Sequence, residues 1–251
     1  MRSTNRFSVV VLVAFAGVAA PAMARQAAPG RDAQLEADVT RKIAALKLEA
    51  SHVAVSAHDG VVMLEGAVPT LWAKRQAIEA ARKAAGVTEV DSTLAVTRAE
   101  NDEKLAAAVT RALQRYPRMS IYDYVGGRVR NGAVTLDGVV TDPSKTEDIV
   151  ESIEKIKGVQ DLTNNIHLLP LSPDDDRIRV AIGDRIYSDP LFENYSRVNP
   201  PIHVIVEHGH VTLVGILSSN IERQKALAIA GSVRGVFSVD NQLRLPSELP
   251  H

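Results

Sequence analysis

The sequence has no cysteine among its 251 residues. The protein therefore cannot form a disulfide, use a thiol as a nucleophile or hold a metal through cysteine sulfur. It also cannot be anchored as a lipoprotein, because that anchor is attached to an N-terminal cysteine.

The sequence also has few aromatic residues and a net charge close to zero. Aromatic residues make up 4% of the chain, with a single Trp, and the formal net charge is -1. Proteins that bind nucleic acid need a positive surface for the phosphates and aromatic side chains on which bases stack. Both shortages argue against a nucleic-acid partner.

The sequence patterns of the common active sites are missing. There is no G-x-S-x-G, no phosphate-binding P-loop, no H-E-x-x-H and no dinucleotide-binding glycine motif. The sequence thus predicts a protein that is not an enzyme and requires no cofactor.

A single long apolar run, Val9–Ala20, lies near the N-terminus, and Arg2 and Arg6 precede it. The run is too short for a membrane-spanning helix, which needs about 20 residues, and the small residues around Ala24 are typical of a cleavage site. We expect a signal peptide at 1–24, a linker at 25–32 and no transmembrane segment after cleavage. The mature chain would carry 27 basic and 30 acidic residues, and we expect it to be soluble and periplasmic.

Three sets of glycines recur along the chain with gaps of 6 and then 20 residues. This regularity indicates three copies of one structural unit, which we assign to residues 33–98, 101–169 and 173–246. The nine glycines are Gly60, Gly66 and Gly86, then Gly132, Gly138 and Gly158, then Gly209, Gly215 and Gly235.

Each copy predicts the order α-β-β-α-β. Apolar residues at helical spacing precede the first glycine, as in Leu105, Val109 and Leu113, and period-two strands flank it. The fold class is therefore α+β: three tandem modules, each a three-stranded mixed sheet packed against two helices.

The glycines also predict local features. The first glycine of each set lies in a DG, NG or HG dipeptide, which suits a tight hairpin turn. We expect the third glycine to cap the second helix, which is predicted over about 70–85, 143–157 and 220–234. Gly127 falls at an inward strand position and predicts a weak point in the second sheet.

The three windows resemble the BON domain family of bacterial envelope proteins. The resemblance rests on GVVMLEGAV, GAVTLDGVV and GHVTLVGIL, together with GVTEVDSTL, GVQDLTNNI and GVFSVDNQL. It implies an exported protein that is linked to osmotic or envelope stress and binds phospholipid or other envelope components. Ser92 replaces the Asn164 and Asn241 of the other copies, and Glu147 stands near the place held by Arg75 and Arg223.

The basic residues of the second copy are candidates for contact with anionic lipid headgroups, and aromatic residues suit the membrane interface. The alternatives are a solvated basic face and, for the Trp, a structural contact at the start of a helix. The candidates are Arg111, Arg115, Arg118, Arg128, Arg130, Tyr116 and Trp72.

Other polar groups favour structural roles. His203, His208 and His210 crowd the third hairpin, but exposed turn histidines are commoner than zinc sites, and we assign no metal. Asn164 and Asn241 are expected on the core side of the last strand, bonded to backbone, and Asp174–Asp176 at a helix start.

Two functions remain open on the sequence. The first is peripheral attachment to anionic phospholipid or envelope surfaces. The second is a scaffold for protein–protein interaction or self-assembly, with exposed sheet edges or helix faces as contacts. The sequence predicts neither the ligand nor the oligomeric state.

Overall fold

The computed structural model describes residues 29–48, 52–98, 101–198 and 200–249. The predicted signal peptide lies outside these residues. The first helix begins at Pro29, within the segment that the sequence analysis assigned to a linker.

The structure consists of three α-β-β-α-β modules, and the predicted α+β fold class is confirmed. Module 1 comprises α1 (Pro29–Ala45), β1 (His52–His58), β2 (Val61–Val68), α2 (Leu71–Arg82), β3 (Glu89–Ser92) and β4 (Ala95–Val96). Module 2 comprises α3 (Asp102–Gln114), β5 (Tyr124–Arg130), β6 (Ala133–Val140), α4 (Pro143–Glu154) and β7 (Asp161–Leu168). Module 3 comprises α5 (Pro173–Tyr187), β8 (Ile202–Glu207), β9 (His210–Ile216), α6 (Asn220–Gly231) and β10 (Ser238–Arg244), with 3-10 turns at Pro190–Phe192 and Pro246–Glu248.

The second strand of each module is the middle strand of its sheet. It pairs antiparallel with the first strand and parallel with the last. Both helices pack on one face, where the predicted stripes are buried: Val39 and Val109 are at most 1% exposed, as is Ile182. Each module thus has its own small core.

The hairpin turns have positive φ at both central residues, as the DG, NG and HG dipeptides predict. Asn131 has φ 53° and Gly132 78°, while His208 has 52° and Gly209 76°. The carboxylate of Asp175 accepts hydrogen bonds from the backbone N–H of His208 and Gly209, both at 2.8 Å. Asp175 therefore holds the hairpin turn, whereas the cap of α5 is Ser172, whose hydroxyl accepts from the Asp175 N–H.

The third glycine of each set does not cap the second helix, and that prediction is wrong. The helices end at Arg82, Glu154 and Gly231, four residues before the glycine. The chain then makes one turn, in which the N–H of Val87 donates to the carbonyl of Ala84. Gly86 is the third residue of that turn and has φ 92°, a position that requires positive φ.

Gly127, the predicted weak point of the second sheet, is a site of close packing. A Cβ atom on Gly127 would lie 2.6 Å from the Cγ1 of Val109. The missing side chain therefore lets α3 approach β5 closely.

Ser92, Asn164 and Asn241 share one structural role on the last strand. The side-chain oxygen of Asn164 accepts from the Ile166 N–H at 3.0 Å, and that of Asn241 from the Leu243 N–H at 3.2 Å. The Ser92 hydroxyl does the same for Leu94 at 3.4 Å. The backbone role is as predicted, but Asn164 is exposed, because β7 is an edge strand and its backbone groups face solvent there.

The second glycine of each set lies against the start of the first strand. A Cβ on Gly215 would lie 1.9 Å from the carbonyl oxygen of Pro201, and one on Gly138 2.1 Å from that of Tyr124. Both residues also have φ near 150°. No side chain fits at this point of the hairpin.

We expect Gly215→Ala to lower the free energy of unfolding by about 3 kcal/mol or more, through the clash and the strained φ. The matched control is Gly231→Ala at the end of α6, where a Cβ would meet nothing within 4 Å. That change should raise stability by about 0.5–1 kcal/mol. Urea unfolding followed by circular dichroism measures both, and similar effects of the two changes would contradict the close approach at Gly215.

Candidate functional site

Arg111 lies on the outer face of α3, and Arg115 is the residue that caps the C-terminus of this helix. The helix packs on its sheet through Leu105, Val109 and Leu113, so residues 111 and 115 project from the far side, one turn apart. Both side chains are exposed, and neither forms an ion pair or hydrogen bond within the described chain. These two guanidinium groups are therefore free for an external anion.

Arg118 and Tyr116 are held by carboxylates of the same module. Arg118 contacts Asp148 at 3.0 Å and Asp142 at 3.3 Å, and the Tyr116 hydroxyl donates to Asp148 at 2.9 Å. Burial and the Asp148 carboxylate raise the pKa of Tyr116 to about 12. Neither residue is a free lipid contact.

Arg128 and Arg130 lie on the opposite side of module 2. They alternate with Val129, which packs against the core, so they project from the sheet face that carries no helix. Arg128 is paired with Asp137 at 2.7 Å, while Arg130 is exposed. The sheet thus separates these arginines from Arg111 and Arg115, and the five arginines do not form one patch.

Trp72 lies in a contact between modules 1 and 2, which we call the first joint. The ammonium of Lys155 lies 5.2 Å from the Trp72 ring centroid, and Arg75 pairs with Glu154 at 2.9 Å. Burial raises the pKa of Glu154 despite the Arg75 charge. The Trp72 ring is partly covered by Lys155, which favours the structural interpretation.

Backbone contacts complete the first joint. The side-chain amide of Gln160 donates to the carbonyls of Val96 at 3.0 Å and Thr97 at 3.1 Å. Arg98 and Gly158 form an isolated parallel β-bridge, which continues module 1 onto the start of the last strand of module 2.

The contact between modules 2 and 3, the second joint, has a different construction. The carbonyl of Ile121 accepts from the Val204 N–H at 2.7 Å, and Tyr122 packs against the core of module 3. A Cβ on Gly183 would lie 2.7 Å from Ile121, so α5 admits this loop only because residue 183 has no side chain. Tyr124 meets the ring of His203 edge to face, with centroids 5.4 Å apart.

A buried ion pair supports the loop that makes the second joint. Asp123 is fully buried and accepts from the Lys145 ammonium at 2.6 Å, from Ser120 and from Thr141. Burial alone would raise the pKa of Asp123, but these hydrogen bonds outweigh it and lower the pKa. The sequence did not reveal this pair, because its residues are 22 positions apart and the matching positions of module 3, Pro200 and Glu222, cannot form such a pair.

The three histidines of the third hairpin are not brought together. His208 lies in the turn, the Nδ1 of His210 contacts the Ser238 hydroxyl at 2.7 Å, and His203 belongs to the second joint. The described part of the chain holds no group of three side chains suited to a metal ion.

Among residues 29–48, 52–98, 101–198 and 200–249, no helix combines the length and apolar character needed to cross a membrane.

Comparison with known proteins identifies the repeated unit. Three segments match the BON domain, at residues 31–98, 101–170 and 174–247. The osmotically-inducible protein Y of Escherichia coli K12 is 27% identical over 190 residues, which cover 73% of this chain and 92% of that protein.

Two solved structures of CdsD, a structural protein of the type III secretion system of Chlamydia trachomatis, also match. They are 15% and 14% identical, cover 87% and 86% of this chain and 93% and 98% of theirs, and have TM-scores of 0.26 and 0.24. At such TM-scores the likeness carries no argument about this chain.

We expect Lys145→Met to lower the free energy of unfolding by about 3–5 kcal/mol, because it leaves the Asp123 carboxylate buried without a counterion. Lys42→Met is the control, since the pair of Lys42 with Asp38 on α1 is solvent-exposed and its loss should cost no more than about 1 kcal/mol. The second change Asp123→Asn should restore part of the loss. Urea unfolding at pH 7 measures all three, and a small effect of Lys145→Met would show that the pair is not structural.

His203 should make the stability of the protein depend on pH. Burial lowers its pKa below the ordinary 6.5, although the Asp123 carboxylate opposes this shift, and its Nδ1 has no hydrogen-bond partner within the described chain. The unfolded chain therefore takes up a proton first, and stability falls as pH drops below about 6.5. We expect His203→Phe, which keeps a ring against Tyr124, to flatten the dependence of the unfolding free energy between pH 7.5 and pH 5.5.

His208→Gln removes an exposed histidine from the same hairpin and is the control for this comparison. It should leave the pH dependence close to that of the wild type. If the two variants change the slope equally, His203 is not its source.

Proposed function

This chain belongs to the BON domain family, and from that premise we propose that it is a non-enzymatic exported protein that attaches peripherally to anionic phospholipid of the bacterial envelope. The contact is the outer face of α3 in module 2, with Arg111 and Arg115 as the residues that meet lipid phosphates. The signal peptide predicted at 1–24 would deliver the mature chain to the periplasm.

The observation that carries the proposal is the free state of Arg111 and Arg115. Within the described chain, Arg118 and Arg128 are neutralised by carboxylates. A guanidinium group can form two parallel hydrogen bonds to one phosphate, which suits lipid headgroups. Two such groups one helical turn apart can engage neighbouring headgroups.

The second half of α3 carries no acidic side chain that would repel an anionic membrane. Ala107, Thr110 and Gln114 are exposed and uncharged. The carboxylate of Asp102, in the first turn, is engaged by the backbone of the hairpin turn at Gly132. The local charge near Arg111 and Arg115 is therefore positive, although the net charge of the whole chain is -1.

The attachment should be weak and reversible. Each basic residue near an anionic surface contributes about 1 kcal/mol, so two contribute roughly 2 kcal/mol. The Trp72 ring is partly covered by Lys155 and adds no obvious interfacial anchor. Such binding suits a response to changed ionic conditions, and a relative named osmotically-inducible protein Y supports a role in osmotic stress.

Sedimentation with vesicles tests the proposal. We expect the chain from Arg25 to pellet with vesicles that contain anionic phospholipid, to stay in solution with neutral vesicles, and to pellet less as salt screens the contact. The double variant Arg111→Gln with Arg115→Gln should lose about 2 kcal/mol of binding, roughly a thirtyfold fall in the partition coefficient.

The double variant Arg128→Gln with Arg130→Gln provides the matched control. It removes the same charge from the sheet face on the other side of module 2, and its pelleting should equal that of the wild type. Equal losses in the two double variants would indicate nonspecific attraction, and no pelleting of the wild type would exclude direct lipid binding.

A further inference from the structure

The two ends of a module have different roles in the first joint. We call the end with the hairpin turn and the start of the last strand the tip, and the end where the second helix begins the base. Trp72 and Arg75 belong to the base of module 1, while Glu154, Lys155 and Gln160 belong to the tip of module 2. The first joint is thus a base-to-tip contact.

The tip of module 3 receives no neighbour within the described chain. Phe237 occupies the position of Gln160, since each lies two residues after the third glycine of its set. The Phe237 side chain is 79% exposed; its ring lies against Gly209 of the hairpin turn and beside the ring of His210, at 6.1 Å between centroids. In module 3 an exposed aromatic ring therefore replaces the glutamine that joins modules 1 and 2.

The base of module 3 presents apolar side chains as well, next to the 3-10 turn Pro246–Glu248. Ile221 occupies the position of Trp72, six residues after the second glycine, and is 73% exposed. Ile216, at the end of the middle strand, is 47% exposed. Pro246, which follows the last strand, is exposed at this end as well. Module 3 thus presents apolar side chains at both surfaces that the first joint uses.

The charged pairs of the first joint are replaced together in module 3. Counted from the second glycine, Gln224 stands at the position of Arg75, and Arg223, one residue earlier, pairs with Glu248 at 2.9 Å. Gly231 stands at the position of Glu154, so the ion pair of the first joint is absent. Ser232 stands at the position of Lys155, opposite Ile221 at the position of Trp72. At these positions a base-to-tip contact between two copies of module 3 would set no charge against an uncharged residue. The charged side chain beside them is Arg185, which donates to the Ser232 hydroxyl at 3.2 Å.

Other combinations of ends leave a charge without a partner. The base of module 2 would place Glu147, at the position of Arg75, against Gly231 of module 3. The tip of module 1 would place Arg82, at the position of Glu154, against Gln224. An uncompensated charge is costly to bury, so both combinations are disfavoured.

From these positions we infer that the tip of module 3 binds the base of module 3 in a second copy of this chain. The contact reproduces the geometry of the first joint, with the Phe237 ring packed on the end of the partner's last strand beside Ile221. Because tip and base are different surfaces, each bound copy leaves one of each free, and association continues beyond a dimer into a ring or a filament. This inference does not depend on lipid binding.

Sedimentation velocity tests the contact without lipid. We expect the mass of the chain from Arg25 to rise with concentration, up to about 1 mM, and to pass that of a dimer. Phe237→Gln, which gives module 3 the residue of module 2, and Ile221→Ser should each weaken association at least about tenfold. Leu171→Ser, at a side chain 95% exposed between modules 2 and 3, should associate like the wild type.

Mixing the two variants distinguishes a head-to-tail contact from a symmetric one. Phe237→Gln keeps an intact base and Ile221→Ser keeps an intact tip, so an equimolar mixture should form dimers and stop there. Wild-type chain that stays monomeric throughout, or variants that associate as strongly as the wild type, would overturn the inference. If the wild type is monomeric and Phe237→Gln pellets less with vesicles, the Phe237 ring contacts the membrane and not a second copy of the chain.

Discussion

The close approach of two backbone segments at the second glycine determines the shape of every module. At Gly66, Gly138 and Gly215, a Cβ atom would lie about 2 Å from a carbonyl oxygen at or directly before the start of the first strand. The second strand can therefore bend against the first, and four residues later the chain reaches the cap of the second helix, at Thr70, Asp142 and Ser219. The second helix begins at this fixed point and crosses the sheet. This determines which of its residues are buried and places the last strand parallel to the middle strand.

Three modules with the same interior are joined in two different ways. The first joint is an end-to-end contact with Arg75 and Glu154 at its centre, and the second is a loop that packs on the side of module 3. Each joint involves an ion pair with a buried carboxylate, Glu154 in the first and Asp123 in the second, although a buried ion pair adds little stability compared with apolar packing. Their effect is on geometry: a charge such as that of Asp123 is tolerated in one arrangement only, and that arrangement fixes the loop carrying Ile121 and Tyr122.

Both proposals rest on surfaces that the modules leave uncovered. Carboxylates neutralise Arg118 and Arg128, but Arg111 and Arg115 face solvent without a partner within the described chain. Phe237 and Ile221 are exposed at the two ends of module 3, where the equivalent residues of modules 1 and 2 are in contact. One surface suits anionic headgroups and the other suits another module, so a protein that binds a membrane and also associates along it is consistent with both.

The sequence by itself determined the repeat, the α-β-β-α-β order, the hairpin turns and the buried stripes. These features depend on residues close together in the chain, through glycine φ angles and through apolar residues at period 2 or 3.6. The end of the second helix was misplaced by three residues, because a glycine four residues past a helix and one directly after it look alike in sequence. Tertiary structure alone decided that the five arginines lie on two faces, that Trp72 lies in a joint and that Asp123 pairs with Lys145. Asp123 and Lys145 are 22 positions apart and Trp72 and Lys155 are 83 apart, and a one-dimensional pattern does not record which distant residues meet.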